Sequence, residues 1–205
     1  MPASEKHQTT GEPRPVLVWR FKEPTVVLSS AAAGGGLGRR DWILNAEVPL
    51  DYDRHDLESH VAEIASEVGC GGKGVGLLTA ADVGRWTSAS DEGVEAVATV
   101  GLSKPTWAAA ADDSHGRWTP GTINVVVIMP VRLNDAALVN AVITATEAKT
   151  QALFEHGVPG TGTASDALCV VCPAKGDHVA FAGPRSEWGA RLARAVHAAV
   201  GAGIR

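Results

Sequence analysis

Lys149 stands where a helix should be apolar. Residues 139–153, VNAVITATEAKTQAL, have helical periodicity. At about 100° per residue, Val139, Val142, Ile143 and Leu153 fall on one side and Ala141, Ala145, Ala148 and Ala152 on a second strip. Lys149 lies between the two, while Asn140, Thr144, Glu147 and Gln151 line the remaining polar side. An ammonium there has two outlets. Its stem can follow the apolar side and carry the charge past the helix edge, or the charge can be buried against an acid, since an isolated buried cation is costly or loses its proton. Asp166 is one such acid. The stretch VPGTGTASDAL sets Thr161, Thr163, Ser165 and Asp166 in a glycine-bearing loop that enters a strand. A lysine ion-paired in a polar pocket orients a carboxylate, and a desolvated one can serve as a base.

Other polar groups sit at the ends of apolar runs, where side chains can reach a pocket. ILN brings Asn45 to a strand end, and PGTIN puts Thr122 and Asn124 on one strand face beside a glycine turn. Ser30 closes the run PTVVLSS just before AAAGGGLG, where Gly35 and Gly36 could let a ligand approach the backbone. Several amides and hydroxyls, one carboxylate and one inward lysine suit an amide-bond hydrolase or a binder of a polar ligand.

Several motifs fail on inspection. Gly36-x-Gly38 lacks the third glycine of a dinucleotide fingerprint and feeds a strand. GCGGKGVG carries Lys73 but no Gly-Lys-Ser/Thr, and it too feeds a strand where a phosphate loop opens a helix. Cys169 and Cys172 fall in a strand, where a spacing of three points them to opposite faces. His55 and His60 are five apart, not the four of a helical zinc pair, and read as ordinary helix-surface residues. No metal site is expected.

The elements that must position these groups are short. PVLVW, PTVVLSS and DWILNAEVPL read as three strands and residues 54–68 as a helix stopping at Gly69. GVGLLTA and GVEAVATVGLS follow, joined by a polar stretch that suits an antiparallel pair; ADDSHGRWTPG reads as a loop. TINVVVIMP has the continuous apolar run of a strand covered on both faces. The Lys149 helix, capped by Asn134 or Asp135, the strands DALCVVCPA and HVAFAG, and a helix over 187–200 complete the chain. Runs of strands this long exclude a pure βαβ repeat. The expectation is an α+β fold with a mixed, largely antiparallel sheet covered by about three helices.

With 205 residues and 45% apolar composition the chain can bury one core. Residues 1–14 are polar and read as a disordered arm, with a single domain over 15–205. A net charge of −5 without a basic block gives no footprint for nucleic acid, and no window is apolar enough to span a membrane. A soluble cytoplasmic protein is expected, with a homo-oligomer left open. Three cysteines are too few for a disulfide framework.

The segments VVLSSAAAGGGLG, WILNAEVPLDYD, GVGLLTAADV, GLSKPTWA, PGTINVVVIMP, LNDAALVNAVITATEAKTQAL and TGTASDALCVVCP, in this order, resemble the adenosylcobinamide amidohydrolases of corrinoid salvage. The resemblance covers nearly the whole chain after the arm. It implies hydrolysis of the amide joining aminopropanol to the corrin ring of adenosylcobinamide, giving adenosylcobyric acid and 1-amino-2-propanol. The partner is then a corrinoid small molecule. No cofactor is required of the protein, because cobalt arrives with the substrate.

The resemblance carries no catalytic assignment, so roles come from the chemistry. Amide hydrolysis needs an attacking oxygen, a base, an oxyanion donor and an acid for the leaving amine. Asp166 or Glu147 could activate a water, with Lys149 orienting the base or protonating the amine and Asn124, Asn45 or Thr163 as donors. A covalent route would use Ser30 or Thr163 with Lys149 as base. Glu147 lies about 160° from Lys149 on the wheel, so the two cannot face one small pocket. If Lys149 is catalytic, Asp166 is its partner; if Glu147 is, Lys149 is structural. Asn45, Thr122, Asn140, Thr144, Thr161, Thr163, Gly35 and Gly36 are the candidates for holding the substrate, with Trp86, Trp107 and Trp118 in loops as possible platforms. A non-catalytic corrinoid carrier, and a hydrolase of another amide, are the competing classes.

Overall fold

The computed structural model describes residues 1–9, 12–111 and 121–204. Strand β7 (Ile123–Ile128) has the sequence INVVVI and is buried on both faces, as β-branched residues in a covered pleat should be. It pairs antiparallel with β6 (Val94–Val100) and parallel with β9 (Ala167–Cys172). β6 continues antiparallel into β5 (Thr87–Asp91).

The sheet turns at β2 (Glu12–Ser29), whose ladder with β3 (Gly36–Glu47) shifts register between Arg20 and Thr25. PVLVW and PTVVLSS are thus the two halves of one strand. β3 follows one edge of β2 along both halves; the other edge holds β1 (Ala3–Thr9) and then β9. Beyond β3 lies β4 (Gly74–Thr79), parallel to it. The order is β4-β3-β2-β9-β7-β6-β5, with β1 beside β2.

Alternate side chains from the two wings meet inside this folded sheet. Leu17, Trp19, Ile43, Val75 and Leu77 pack with Val97, Val126, Cys169 and Val171. The outer face of one wing, through Val16, Val18 and Leu44, is covered by Val61, Ile64 and Ala65 of α1 (Leu57–Glu67). The outer face of the other, through Ala96, Ala98, Val125, Val127 and Val170, is covered by α2 (Asp135–Glu155) and α3 (Glu187–Gly203). The result is the expected α+β domain: among the described residues, three α-helices over a mixed, largely antiparallel sheet. Among the described residues no helix is long and apolar enough to cross a membrane.

Four readings need correction. Residues 3–9, taken as part of a disordered arm, form β1: its main chain pairs with β2 and its inward His7 is buried, which orders a strand with little apolar content. β4 and β6 are not partners. The β3-α1-β4 segment is a crossover unit that sets β4 parallel to β3, and the polar stretch after it holds a 3-10 turn (Val83–Arg85) and β5. β5 joins β6 through Glu92 and Gly93, both at positive φ, the signature of a two-residue hairpin turn. HVAFAG contributes only β10 (His178–Val179), parallel to β8 (Arg132–Leu133). On α2 the alanine row and Leu138 are buried, whereas Val139 and Ile143 are about half exposed, at 53% and 50%. Small side chains let α2 approach its neighbours closely, and Val139 and Ile143 turn outward while Leu153 of the same strip stays buried. The loop read over 111–121 falls almost wholly outside the described residues. Asn134 caps α2 by accepting from the Ala137 amide at 2.8 Å, as expected.

Gly76 of β4 has no room for a side chain, because a Cβ would collide with both methyls of Val61 on α1. Gly76→Ala should cost about 1–3 kcal/mol by overpacking, read from the urea unfolding midpoint. Gly71→Ala, which meets open space, should stay within about 0.5 kcal/mol.

Candidate active site

A cavity of about 640 Å³ opens between the turn after β2, the segment after β3, the end of β4 and the starts of β7 and β9. Its walls are apolar: Ala31, Ala33, Val48, Leu57, Leu77 and Leu78. At one end Ser30, Thr122, Ser165 and Asp166 supply polar atoms.

The turn carrying Ser30 is held from both sides. Its amide donates to the Leu168 carbonyl and its Oγ accepts from the Leu168 amide, each at 3.0 Å. Arg40 donates to the carbonyls of Gly34 (2.8 and 3.0 Å) and Gly35 (3.0 Å). A Cβ at Gly35 would collide with the Ala31 carbonyl, and Gly36 has φ +78°. These two glycines therefore serve the turn's own geometry. Neither lines the cavity; the alanines before them do.

Lys149 takes the buried outlet. Its ammonium is ion-paired with Asp166 Oδ2, with side-chain exposures of 10% and 16%. Asp166 Oδ1 also accepts from the Ile123 amide at 3.0 Å and from the Thr163 hydroxyl at 2.5 Å, and the Thr163 amide reaches both oxygens at 3.2 Å. One carboxylate thus joins α2, the first residue of β7 and the loop before β9. Gly162 makes this possible, since a Cβ there would overlap both the Asp166 carboxylate and the Lys149 ammonium.

The other anticipated residues divide clearly. Thr122 lines the cavity, its hydroxyl 2.8 Å from that of Ser165, which also donates to the Gly121 carbonyl at 3.3 Å. Asn45 and Asn124 are buried between the wings: Asn124 Nδ2 donates to Asn45 Oδ1 (2.8 Å) and the Leu78 carbonyl (3.3 Å), and Asn45 Nδ2 donates to Thr99 (3.0 Å). They brace the cavity without lining it. Four candidates lie elsewhere. Glu147 is exposed on α2 and Asn140 half-buried outside the cavity lining. Thr144 is buried and donates to the Ala182 carbonyl at 2.9 Å. The Thr161 hydroxyl accepts from the Ala108 amide at 3.0 Å. Of the tryptophans considered as platforms, Trp86 packs on the inner core, Trp107 is exposed and away from the cavity, and Trp118 lies outside the described residues. Cys169 faces the inner core and Cys172 the helices, the opposite faces their spacing implied. Cys169 is fully buried, and burial pushes its thiol up to about 12.

The segment between β3 and α1 was not anticipated as a wall of the site, yet Tyr52, Asp53, Arg54 and His55 all face the cavity. Arg54 grips Asp56 (2.9 Å) and Glu63 (2.6 Å) and draws the Asp56 carboxyl down to about 2. His60 is not a surface residue but 5% exposed, with Nδ1 2.7 Å from the Tyr52 hydroxyl and the rings stacked at 5.3 Å. Its position four residues before Ile64 was the available signal, since i and i+4 share a helix face. Burial lowers His60 and raises Tyr52 from their ordinary values. His7 of β1 is likewise lowered by burial.

The adenosylcobinamide amidohydrolase family model matches residues 1–205. An adenosylcobinamide amidohydrolase of Methanosarcina mazei is 30% identical over 201 residues, 91% of this chain and 96% of the relative. One of Halobacterium salinarum is 32% identical over 185 residues, 85% of this chain and 78% of the relative. An uncharacterized protein of Methanocaldococcus jannaschii is 35% identical over 88 residues, 39% of this chain and 34% of its own length.

Two stability experiments follow from the buried charges and imidazoles. Lys149→Met strands the Asp166 carboxylate and should cost about 3–5 kcal/mol; adding Asp166→Asn should recover a large part of it. A double-variant loss equal to the sum of the two single losses would show that the two groups are not coupled. His7 and His60, lowered from an ordinary 6.5, bind protons more readily in the unfolded chain. Their contribution is complete above pH 6.5 and declines as pH falls toward their folded values. The unfolding midpoint should drop as pH falls below about 6.5, and the combined His7→Gln, His60→Gln variant should flatten that slope.

Proposed function

The chain belongs to the adenosylcobinamide amidohydrolase family, and from that footing we propose that its reaction occurs at the polar end of the cavity, beside Asp166. The reaction is hydrolysis of the amide between aminopropanol and the corrin ring of adenosylcobinamide, which yields adenosylcobyric acid for cobalamin salvage. The observation that carries this reading is the Asp166 carboxylate, ion-paired with Lys149, at the polar end of the cavity. A buried ion pair is seldom worth more to stability than an apolar replacement, so keeping one beside a cavity suits a chemical role.

In this reading Asp166 is the general base that takes a proton from the attacking water. Three of its donors are fixed: the Lys149 ammonium and the amides of Ile123 and Thr163. The Thr163 hydroxyl is a rotor, and turning it away frees a lone pair of Oδ1 for the water. Lys149 is a positioning residue, since it lies behind Asp166 and does not line the cavity. The hydroxyls of Ser30, Thr122 and Ser165 offer neutral hydrogen bonds to the amide oxygen as it gains charge. Neutral groups also suit a substrate edged with amides. A serine nucleophile is less well supported: among the described residues the Ser30 hydroxyl meets the Leu168 amide and no general base.

Cobalt enters with the substrate in this scheme, and no protein-held metal is called upon. Three free cysteines suit a reducing cytoplasm.

The test is incubation with adenosylcobinamide in the dark with a chelator, followed by mass spectrometry for adenosylcobyric acid and 1-amino-2-propanol. Wild type should form both. Asp166→Asn should lower kcat by about 10²-fold or more, and Lys149→Met should lower it as well, each in folded protein. A corrinoid spectrum retained after desalting, without product, would instead make the protein a carrier.

A further inference from the structure

Resting on that amide-hydrolysis reading, we propose that Tyr52 donates the proton taken up by the departing amine and that His60 reloads it. With Asp166 assigned to the attacking water and its proton returned to solvent, the departing amine is assigned a donor of its own. An amine leaves a tetrahedral intermediate poorly unless its nitrogen is protonated as the C–N bond breaks. Lys149 is fixed to Asp166 and outside the cavity lining. Tyr52 faces the cavity and is backed by a buried imidazole 2.7 Å from its hydroxyl.

The segment bearing Tyr52 is a wall shared by two cavities. Behind it lies a second one of about 520 Å³, lined by Arg14, Asp51, Tyr52, His60 and Glu63 among others. Tyr52 thus borders both spaces and His60 the second, so the pair links the first cavity to a polar chamber able to supply protons. The charged groups acting on the pair are Arg54, Asp56 and Glu63, with His7 from β1. Burial keeps the phenol protonated and the imidazole neutral near neutral pH. A neutral imidazole can carry its proton on Nδ1, hydrogen-bonded to the phenol oxygen, which leaves the phenol's own proton free to point into the cavity.

The step balances as follows. The C–N bond breaks and its electron pair moves to nitrogen, which takes the Tyr52 proton. The phenol oxygen takes the Nδ1 proton of His60, Nε2 takes a proton from water of the second cavity, and a flip of the imidazole ring returns an N–H to the phenol before the next turnover. The proton removed by Asp166 returns to solvent, so one water is consumed and a carboxylate and a protonated amine are released.

Tyr52→Phe tests this by leaving-group dependence. On adenosylcobinamide it should lower kcat by about 10²-fold with KM little changed. On the 4-nitrophenyl ester of adenosylcobyric acid, whose leaving group departs as an anion, it should match wild type, while Asp166→Asn stays slow on both. His60→Gln should lower kcat by about tenfold on the amide and spare the ester. Equal losses on amide and ester would make Tyr52 a shaping residue and overturn the relay. So would wild-type kcat for Tyr52→Phe on the amide. Wild-type protein that cleaves neither substrate would overturn the hydrolysis reading, and the relay with it.

Discussion

β7 turns Ile123, Val125 and Val127 toward the helices and Asn124 and Val126 toward the opposite wing, and neither face reaches water. A strand of this kind needs cover on both sides. Helices α2 and α3 supply one side, and the sheet supplies the other by folding back at β2. The inner space so created is mostly apolar, and its amides link across the gap, Asn124 Nδ2 to Asn45 and Asn45 Nδ2 to Thr99, while Asn124 Oδ1 has no partner among the described residues. Where the wings part, at the ends of β2, β4, β7 and β9, the cavity begins.

The same constraint sets the electrostatics of the site. Asp166 immediately precedes β9, and Ile123 begins β7, its parallel neighbour. Parallel strands bring their starts together, and the Ile123 amide donates to the carboxylate there. Lys149 arrives from α2, the helix that covers these strands. The polar end of the cavity is therefore built from the edge of the core.

Much of this was legible in the residues. The apolar run of β7, the Asn134 cap and the opposed faces of Cys169 and Cys172 follow from local periodicity, which the fold preserves. Lys149 was legible as a misfit with two outlets, and only the packing of α2 decides between them. Other features depend on partners far away in the chain. β1 is ordered by β2 despite its polar composition. The parallel placement of β4 depends on α1 crossing over. Val139 and Ile143 face outward while the alanine row and Leu153 of α2 are buried. Tyr52 escaped notice because a lone aromatic between a strand and a helix has no period to betray it.

The hydrogen bonds around Asp166 also limit how this region can drift. Main-chain N–H groups of Ile123 and Thr163 point at position 166, and a main chain cannot reverse its donors. A cation at 166 with an anion at 149 would face those amides with the wrong polarity, so the pair cannot simply trade places over generations. Gly162 narrows the choice further by excluding any side chain between the two charges. Descendants of this chain have two routes: keep lysine, aspartate and glycine together, or lose the arrangement as a unit.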